Sequence, residues 1–400
     1  MRLALISQTY PPMVSGISVA VRQLSQALAG RGHAVLVLTA SDCGRPYEQD
    51  QEGVHLVRLR SRPTPSRVGQ RWCWWREAEI RTRLAPFQPD LIHLHDPLLG
   101  AFLIPGIAHR MGLPLVITAH ALPENLLSIA SAPPGASQVG RAALWALAAS
   151  RSREFAAVIT PAGYTARQYS AHAGTRAVVI SNGVNLERFQ PFPTHPGEGR
   201  QLALRYGLDP ALPIILHVGR LDHEKRVDDV MCAAALAMQR VEAQLLVVGD
   251  GNARRSLERL SRKLGIEART AFSGFVSRDG DLPGLYRLGR VFVLASRIEA
   301  EGIVVLEAAA SGLPIVAVRA TSMVELIEGP ACGFLVEPSD LTAMADRLVS
   351  ILVDKDVQDR LGRAARSMAT QHTLQRSVEL HEALYQRVIE RARAARPAAA

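Results

Sequence analysis

Short apolar runs alternate with helical stretches along most of this chain, and that alternation is what most limits the folds open to it. A first series of strand-like runs falls at 3–7, 35–39, 91–94, 115–118, 157–160 and 177–180. A second falls at 214–218, 245–248, 270–273, 291–295, 315–318 and 334–336. Runs this short and apolar read as buried strands, and the helices between them are the crossovers of a parallel sheet. A helix over 23–30 is expected to close at Gly30. At 400 residues the chain is too long for one ordinary core and suits two. The fold class predicted is α/β, with two Rossmann-like, doubly wound parallel-sheet domains facing each other across a cleft. Residues 1–188 form the first domain, the Pro- and Gly-rich stretch 189–212 a linker, and 213–372 the second domain. A C-terminal helix over 373–400 is expected to pack back on the first domain, with a frayed tail from 391.

Bulk properties exclude several classes of function. Hydrophobic content of 48% with 21% charged residues is globular, and no apolar run reaches the ~18 residues of a membrane span. The first apolar run meets Pro11 and Pro12 too soon for a secretory signal. Four scattered cysteines without a C-x-x-C pair argue against a disulfide framework and a zinc site. A cytoplasmic protein is expected, peripheral on the inner face of the cell membrane. The formal charge of +9 favours polyanionic partners, but it comes almost wholly from arginine; Lys225, Lys263 and Lys355 are the only lysines. No nucleic-acid recognition motif accompanies it, so nucleic acid is not an expected partner.

Ligands of doubly wound sheets bind where the strands end, and two segments there carry chemistry. After the strand at 214–218 come Gly219, Arg220 and Lys225, two cations placed to neutralise a diphosphate. After the strand at 291–295 comes Glu299, then a helix expected to start at Gly302 and end at Ser311, with Glu307 inside it. A helix start opened by a glycine, with Ile303 and Val304 offering backbone N–H groups, is a phosphate site. The two carboxylates suit sugar hydroxyls and a ribose diol. The plainer alternatives are a solvated basic loop and a pair of capping and surface acids.

Together these segments resemble the signature regions of the retaining glycosyltransferase family 4, of GT-B fold. The N-terminal half agrees: Tyr10-Pro-Pro-Met-Val-Ser-Gly-Ile, Gly30-Arg-Gly-His, Pro89-Asp-Leu-Ile-His-Leu-His-Asp and Val179-Ile-Ser-Asn-Gly-Val-Asn. The resemblance implies retaining, metal-independent transfer of a hexose from a nucleotide-diphosphate sugar, UDP-hexose or GDP-mannose, with no cofactor. It places Gly16 at the donor phosphate and His120 at the donor sugar. Arg220 and Lys225 fall at the diphosphate, Glu299 and Glu307 match the family's paired glutamates, and Gly249, Asp250 and Val276 lie near the nucleotide base. Two departures stand out: Glu301 where the family often has Phe, and Ala320-Thr321 where it usually has Gly-Gly.

The stretch 58–83 holds eight arginines around Trp72, Trp74 and Trp75. Arginine with tryptophan suits an anionic membrane surface, and Arg71, Trp72, Trp74, Trp75 and Arg76 are the expected contacts. The alternative is a helix with its tryptophans on the sheet and its arginines solvated. His120-Ala-Leu-Pro-Glu-Asn-Leu-Leu resembles a pattern in diacylglycerol and phosphatidylinositol glycosyltransferases, which adds Glu124 and Asn125 to an acceptor site for a membrane lipid. A sugar-nucleotide epimerase of the same fold and a non-catalytic nucleotide-sugar-binding protein are the competing readings. An NAD oxidoreductase is disfavoured, because Arg254 stands where the third glycine of its fingerprint belongs.

Overall fold

The computed structural model describes residues 1–64, 69–95, 99–122, 134–191 and 197–395. It divides the chain into two units, Met1–Asn182 with Leu374–Ala400 and Gly183–Thr373.

The first unit is built on β1 (Arg2–Ser7), β2 (Ala34–Ala40), β3 (Tyr47–Gln51) and β4 (Val54–Leu59), a hairpin of β5 (Ser61–Pro63) and β6 (Arg71–Cys73), then β7 (Leu91–Leu94), β8 (Leu115–Thr118), β9 (Ala157–Thr160) and β10 (Val178–Val179). Its main sheet runs β10-β9-β8-β7-β1-β2-β4-β3, parallel except for the antiparallel edge strand β3. Its helices are α1 (Gly16–Gly30), α2 (Glu77–Phe87), α3 (Leu99–Arg110), α4 (Pro134–Ser152) and α5 (Gly163–Ala173). The period-two geometry of a strand sends Ala4 and Ile6 into one hydrophobic cluster and Leu3 and Leu5 into another on the opposite face. That second cluster is completed by Val378, Leu384, Tyr385, Val388 and Ile389.

The second unit contains α6 (Glu198–Arg205), β11 (Ile214–Val218), α7 (Val227–Met238), β12 (Gln244–Val248), α8 (Arg254–Lys263), β13 (Thr270–Gly274), α9 (Leu282–Leu288), β14 (Gly289–Leu294), α10 (Ile303–Ala310), β15 (Ile315–Val318), β16 (Gly333–Val336), α11 (Leu341–Val353) and α12 (Lys355–Gln371). Helix α13 (Leu374–Ala394) returns the chain to the first unit. The sheet is wholly parallel in the order β13-β12-β11-β14-β15-β16, so the order reverses between β11 and β14. Again Ile214, Leu216 and Val218 enter one core and Ile215 the other.

Several expectations change. The chain between 40 and 75 carries four strands that no apolar run announces, and Arg58 shows why: it is 2% exposed, its guanidinium between the rings of Tyr10 and Tyr47. The arginine- and tryptophan-rich segment is therefore a hairpin followed by α2, not one helix. Residues 189–212 are more than a linker. Phe189 is fully buried, edge-on to Tyr286 at 5.5 Å, and Leu202 and Ala203 on α6 join the same core. Helix α1 includes Gly30 and is turned by Gly32, whose φ of 86° is left-handed. Helix α13 runs on through 391 to Ala394, tied by Arg393 to Asp90 at 3.0 Å.

Candidate active site

In the second unit the loops after β11 and β14 flank the point where strand order reverses, the place doubly wound sheets use for ligands. The loop after β11 is held by its neighbour. Gly219 N–H donates to Val248 O at 3.0 Å and Leu221 N–H to Asp250 O at 2.9 Å. Gly249 has a φ of 136°, and a Cβ there would lie 1.8 Å from the Gly219 carbonyl oxygen. The Gly249-Asp250-Gly251 turn thus exists so that two loops can touch; Asp250 itself caps the turn, accepting from Gly251 N–H at 2.8 Å.

Arg220 is paired with Asp222 and, at 2.7 Å, with Glu224. Lys225 ends a short 3-10 turn, and its Nζ donates to Glu299 Oε1 at 2.6 Å. Both side chains of that pair are largely covered, at 18% and 14% exposure, so solvent screens it less than a surface ion pair. Beneath it His217 is fully buried, donates from Nδ1 toward Val293 O at 3.0 Å, and has its pKa lowered to about 4 by burial.

The Glu299 loop is fixed by contacts that the sequence does not announce. Thr321 Oγ1 accepts from Glu299 N–H at 3.0 Å, and Ser322 Oγ bonds the carbonyls of Glu299 at 3.0 Å and Glu301 at 3.1 Å. The Thr321 departure from the family pattern is thus a loop clamp, and the Glu301 departure is a buried side chain, 2% exposed. Gly302 precedes α10 with φ 93°, and a Cβ there would meet Met323 Cε at 2.8 Å. Ile303 and Val304 form the first turn, one residue later than expected.

Glu307 is 1% exposed and both its oxygens are engaged, Oε1 by Arg278 Nε at 2.6 Å and Oε2 by Tyr286 Oη at 2.9 Å. Burial, followed by the nearby Glu307 charge, pushes the Tyr286 phenol well above its ordinary range, so it stays a donor. Arg278 and Tyr286 were not anticipated. Val276, two residues before Arg278, packs against the core that includes Tyr286.

In the first unit Gly16 opens α1 behind the N-cap Ser15, whose Oγ accepts from Ser18 N–H at 3.0 Å. Gly16 is exposed, with nothing within 4 Å of a Cβ built on it. His120 follows β8, and its Nε2 lies 2.9 Å from His95 Nδ1. Burial lowers the His120 pKa to about 3, leaving the ring neutral at pH 7.

The hairpin divides the tryptophans. Trp72 and Trp74 are 54% and 57% exposed, and the Arg62 guanidinium lies 5.7 Å from the Trp74 ring. Arg76 is exposed as well. Trp75 turns inward, donating to Gln8 Oε1 at 3.2 Å, and Arg71 turns back to Ser61 Oγ at 2.8 Å. Gln8 also donates to Arg71 O at 2.8 Å, so the hairpin is tied to the loop that leads from β1 to Gly16. Glu124 and Asn125 lie outside the described residues. No described helix is long and apolar enough to cross a membrane.

Known proteins resemble this chain along most of its length. The family described as Glycosyltransferase Family 4 matches residues 14–188, and that described as Glycosyl transferases group 1 matches 205–368. Alpha-D-kanosaminyltransferase of Streptomyces kanamyceticus is 31% identical over 86% of this chain and 92% of its own. Sulfoquinovosyl transferase SQD2 of Arabidopsis thaliana is 29% identical over 91% of this chain and 69% of its own. The structure of Anabaena HepE in complex with UDP-glucose superposes with a TM-score of 0.75 at 19% identity, over 96% of this chain and 99% of that one. Sequence similarity and strand order converge: the chain belongs to glycosyltransferase family 4 and has the GT-B fold.

Proposed function

We propose that this chain moves a hexose from a nucleoside-diphosphate sugar to a hydroxyl of a membrane lipid, retaining the anomeric configuration and using neither metal nor cofactor. The observation that carries the reading is the Lys225–Glu299 pair, held at 2.6 Å with Arg220 close in sequence and the start of α10 beyond. Such a pair is preorganised for exchange. When a diphosphate takes Lys225, Glu299 is released toward the sugar hydroxyls.

The bond from the anomeric carbon to the phosphate oxygen breaks with its electron pair passing to the diphosphate. Arg220, Lys225 and the N–H groups of Ile303 and Val304 stabilise that growing charge, as does the backbone at Gly16. The acceptor hydroxyl attacks from the face the diphosphate leaves, forming the new C–O bond and giving its proton to a phosphate oxygen. Glu307 keeps lone pairs beyond those that Arg278 and Tyr286 occupy, enough to accept from a ribose diol, near Gly249, Asp250 and Val276 at the base. His120 orients the sugar and faces the positive charge that develops at its anomeric carbon. A UDP-hexose donor is supported by HepE, solved with UDP-glucose; GDP-mannose is the other candidate.

The lipid acceptor is supported by the outward face of the hairpin. Trp72, Trp74 and Arg76 alternate with inward-turned neighbours, and Arg62 stands opposite Trp72 in the ladder. Indoles at head-group depth with guanidiniums against phosphate suit an anionic bilayer, which supports a peripheral protein on the inner face of the cell membrane.

The test is turnover of UDP-glucose, UDP-galactose, UDP-N-acetylglucosamine and GDP-mannose in EDTA, with and without anionic vesicles containing diacylglycerol. Product in the lipid phase, lost in Glu299→Ala, is the expected result. Product on soluble acceptors alone overturns the lipid reading, a requirement for Mg²⁺ overturns metal independence, and donor binding without turnover overturns transfer.

A further inference from the structure

A second histidine stands where strand order reverses in the first unit. His95 directly follows β7, its N–H donating to Ile6 O of β1 at 2.8 Å, and it is 2% exposed. Its ring meets that of His120 edge to edge, nitrogen to nitrogen, with centroids 5.2 Å apart and planes at 24°. The centroid of the His93 ring lies 3.9 Å from its own. His93 is itself fixed by Tyr385 Oη at 2.6 Å and Thr118 Oγ1 at 2.7 Å. The remaining nitrogen of His95, Nε2, is buried with no partner among the described residues.

We infer that His95 is a positioning residue that locks His120 as its Nδ1–H tautomer, so that His120 offers the donor sugar a hydrogen-bond donor and no free basic nitrogen. Two ring nitrogens 2.9 Å apart share one proton. If His120 Nε2 carried it, neutral His95 would hold its own proton on Nε2, an N–H buried without an acceptor. If His95 Nδ1 carries it, Nε2 is a bare lone pair. Orphaned buried donors are the rarer and costlier defect. The second arrangement therefore holds, and it leaves His120 with its proton on Nδ1. Burial depresses both pKa values, which keeps the pair neutral and the argument applicable at pH 7. A donor at this position can bind a sugar oxygen but cannot take the acceptor's proton. That agrees with a mechanism in which phosphate does.

The inference rests on the proposed role of His120, but its test needs no substrate. In the full chain labelled with ¹⁵N-histidine, long-range ¹H–¹⁵N spectra report which ring nitrogen is protonated. His120→Gln and His95→Asn identify the two spin systems. The expected result is Nδ1–H for both rings. In His95→Phe, His120 shifts to the Nε2–H form that free imidazole prefers, and kcat falls about two- to tenfold, the effect of one neutral hydrogen bond, with KM for the donor unchanged. His95→Asn, whose amide can donate from the Nδ1 position, keeps the Nδ1–H form and restores kcat. An Nε2–H tautomer at His120 in the unaltered protein overturns the inference, as does a His95→Phe variant with tautomer and kcat both unchanged. Should His95→Phe not fold, the spectrum of the unaltered chain decides alone.

Discussion

The two units share one architecture and fill it with opposite chemistry. Where strand order reverses in the second, Arg220 and Lys225 face Asp222, Glu224 and Glu299, and Arg278, in the loop after the edge strand β13, faces Glu307, every one of them in an ion pair. At the corresponding place in the first stand neutral groups: the imidazoles of His93, His95 and His120, with Thr118 and Tyr385. The topology supplies a place for a ligand, and the side chains decide which ligand. Paired charges can be exchanged for a diphosphate without leaving a buried charge alone. Neutral donors and acceptors suit hydroxyls, whose partners carry no net charge.

The sharpest way to break this contrast is to unpair the second unit. Arg278→Met keeps an unbranched side chain but leaves the Glu307 carboxylate, 1% exposed, with the Tyr286 hydroxyl as its one remaining partner among the described residues. Loss of one member of a buried pair is expected to cost about 3–5 kcal/mol, read as a large fall in the chemical-denaturation midpoint. Arg278→Met with Glu307→Gln removes the stranded charge and should recover much of the loss. If the single substitution is neutral, the pair is not what holds α10, and the contrast between the units weakens.

The first unit should be the one that acid attacks. Burial holds the His381 pKa at about 4 and that of His120 at about 3, with His93 and His95 also well below their ordinary value. Unfolded histidine titrates near 6.5. Between that pH and the folded pKa the unfolded chain binds a proton that the folded chain refuses. Stability is therefore full above about pH 6.5 and falls as pH drops toward 4, by on the order of 3 kcal/mol for His381 alone. Among the described residues of the second unit His217 is the comparable ring, at about 4. All four tryptophans lie in the first unit, so indole fluorescence reports it selectively. On lowering the pH, fluorescence should change before the far-ultraviolet circular dichroism of the whole chain. Coincident transitions would mean that the histidines do not set the order.

Much of this was legible in the residues, and what was not has a physical cause. Strands buried on both faces announce themselves as apolar runs, and Arg220, Lys225 and Glu299 could be located in the loops that follow them, whereas His120 was singled out only by the resemblance to the family. Strand β4, with the sequence VHLVRL, could not, because its arginine is buried through contact with Tyr10 and Tyr47, far away in sequence. The partners Arg278, Tyr286, Thr321 and Ser322 were hidden for the same reason. A hydrogen bond between residues 20 or more apart leaves no periodicity to read. The hairpin did leave a signal, since Arg71-Trp-Cys-Trp-Trp-Arg76 turns alternate residues inward, but the density of arginine concealed the period of two.

The smallest expected effect concerns that hairpin, and it separates surface from scaffold within a few residues. Trp72 and Trp74 are exposed and hold no core contact that their loss would leave as a cavity. Trp75 bonds Gln8 and packs on the first unit's core. If the outward face meets lipid, Trp72→Ala with Trp74→Ala should leave the melting temperature within about a degree, as surface changes usually do. The same variant should lower the fraction sedimenting with anionic vesicles several-fold, because each indole loses its interfacial burial. Trp75→Ala should do the reverse, lowering the melting temperature while the folded fraction still binds vesicles. Equal vesicle binding by all three proteins would take the membrane away from the hairpin and leave the exposed Arg60, Arg62 and Arg76 as ordinary solvated charge. Loss of binding on raising salt alone, with the tryptophan variants unaffected, would assign the attraction to Arg60, Arg62 and Arg76 and not to the indoles.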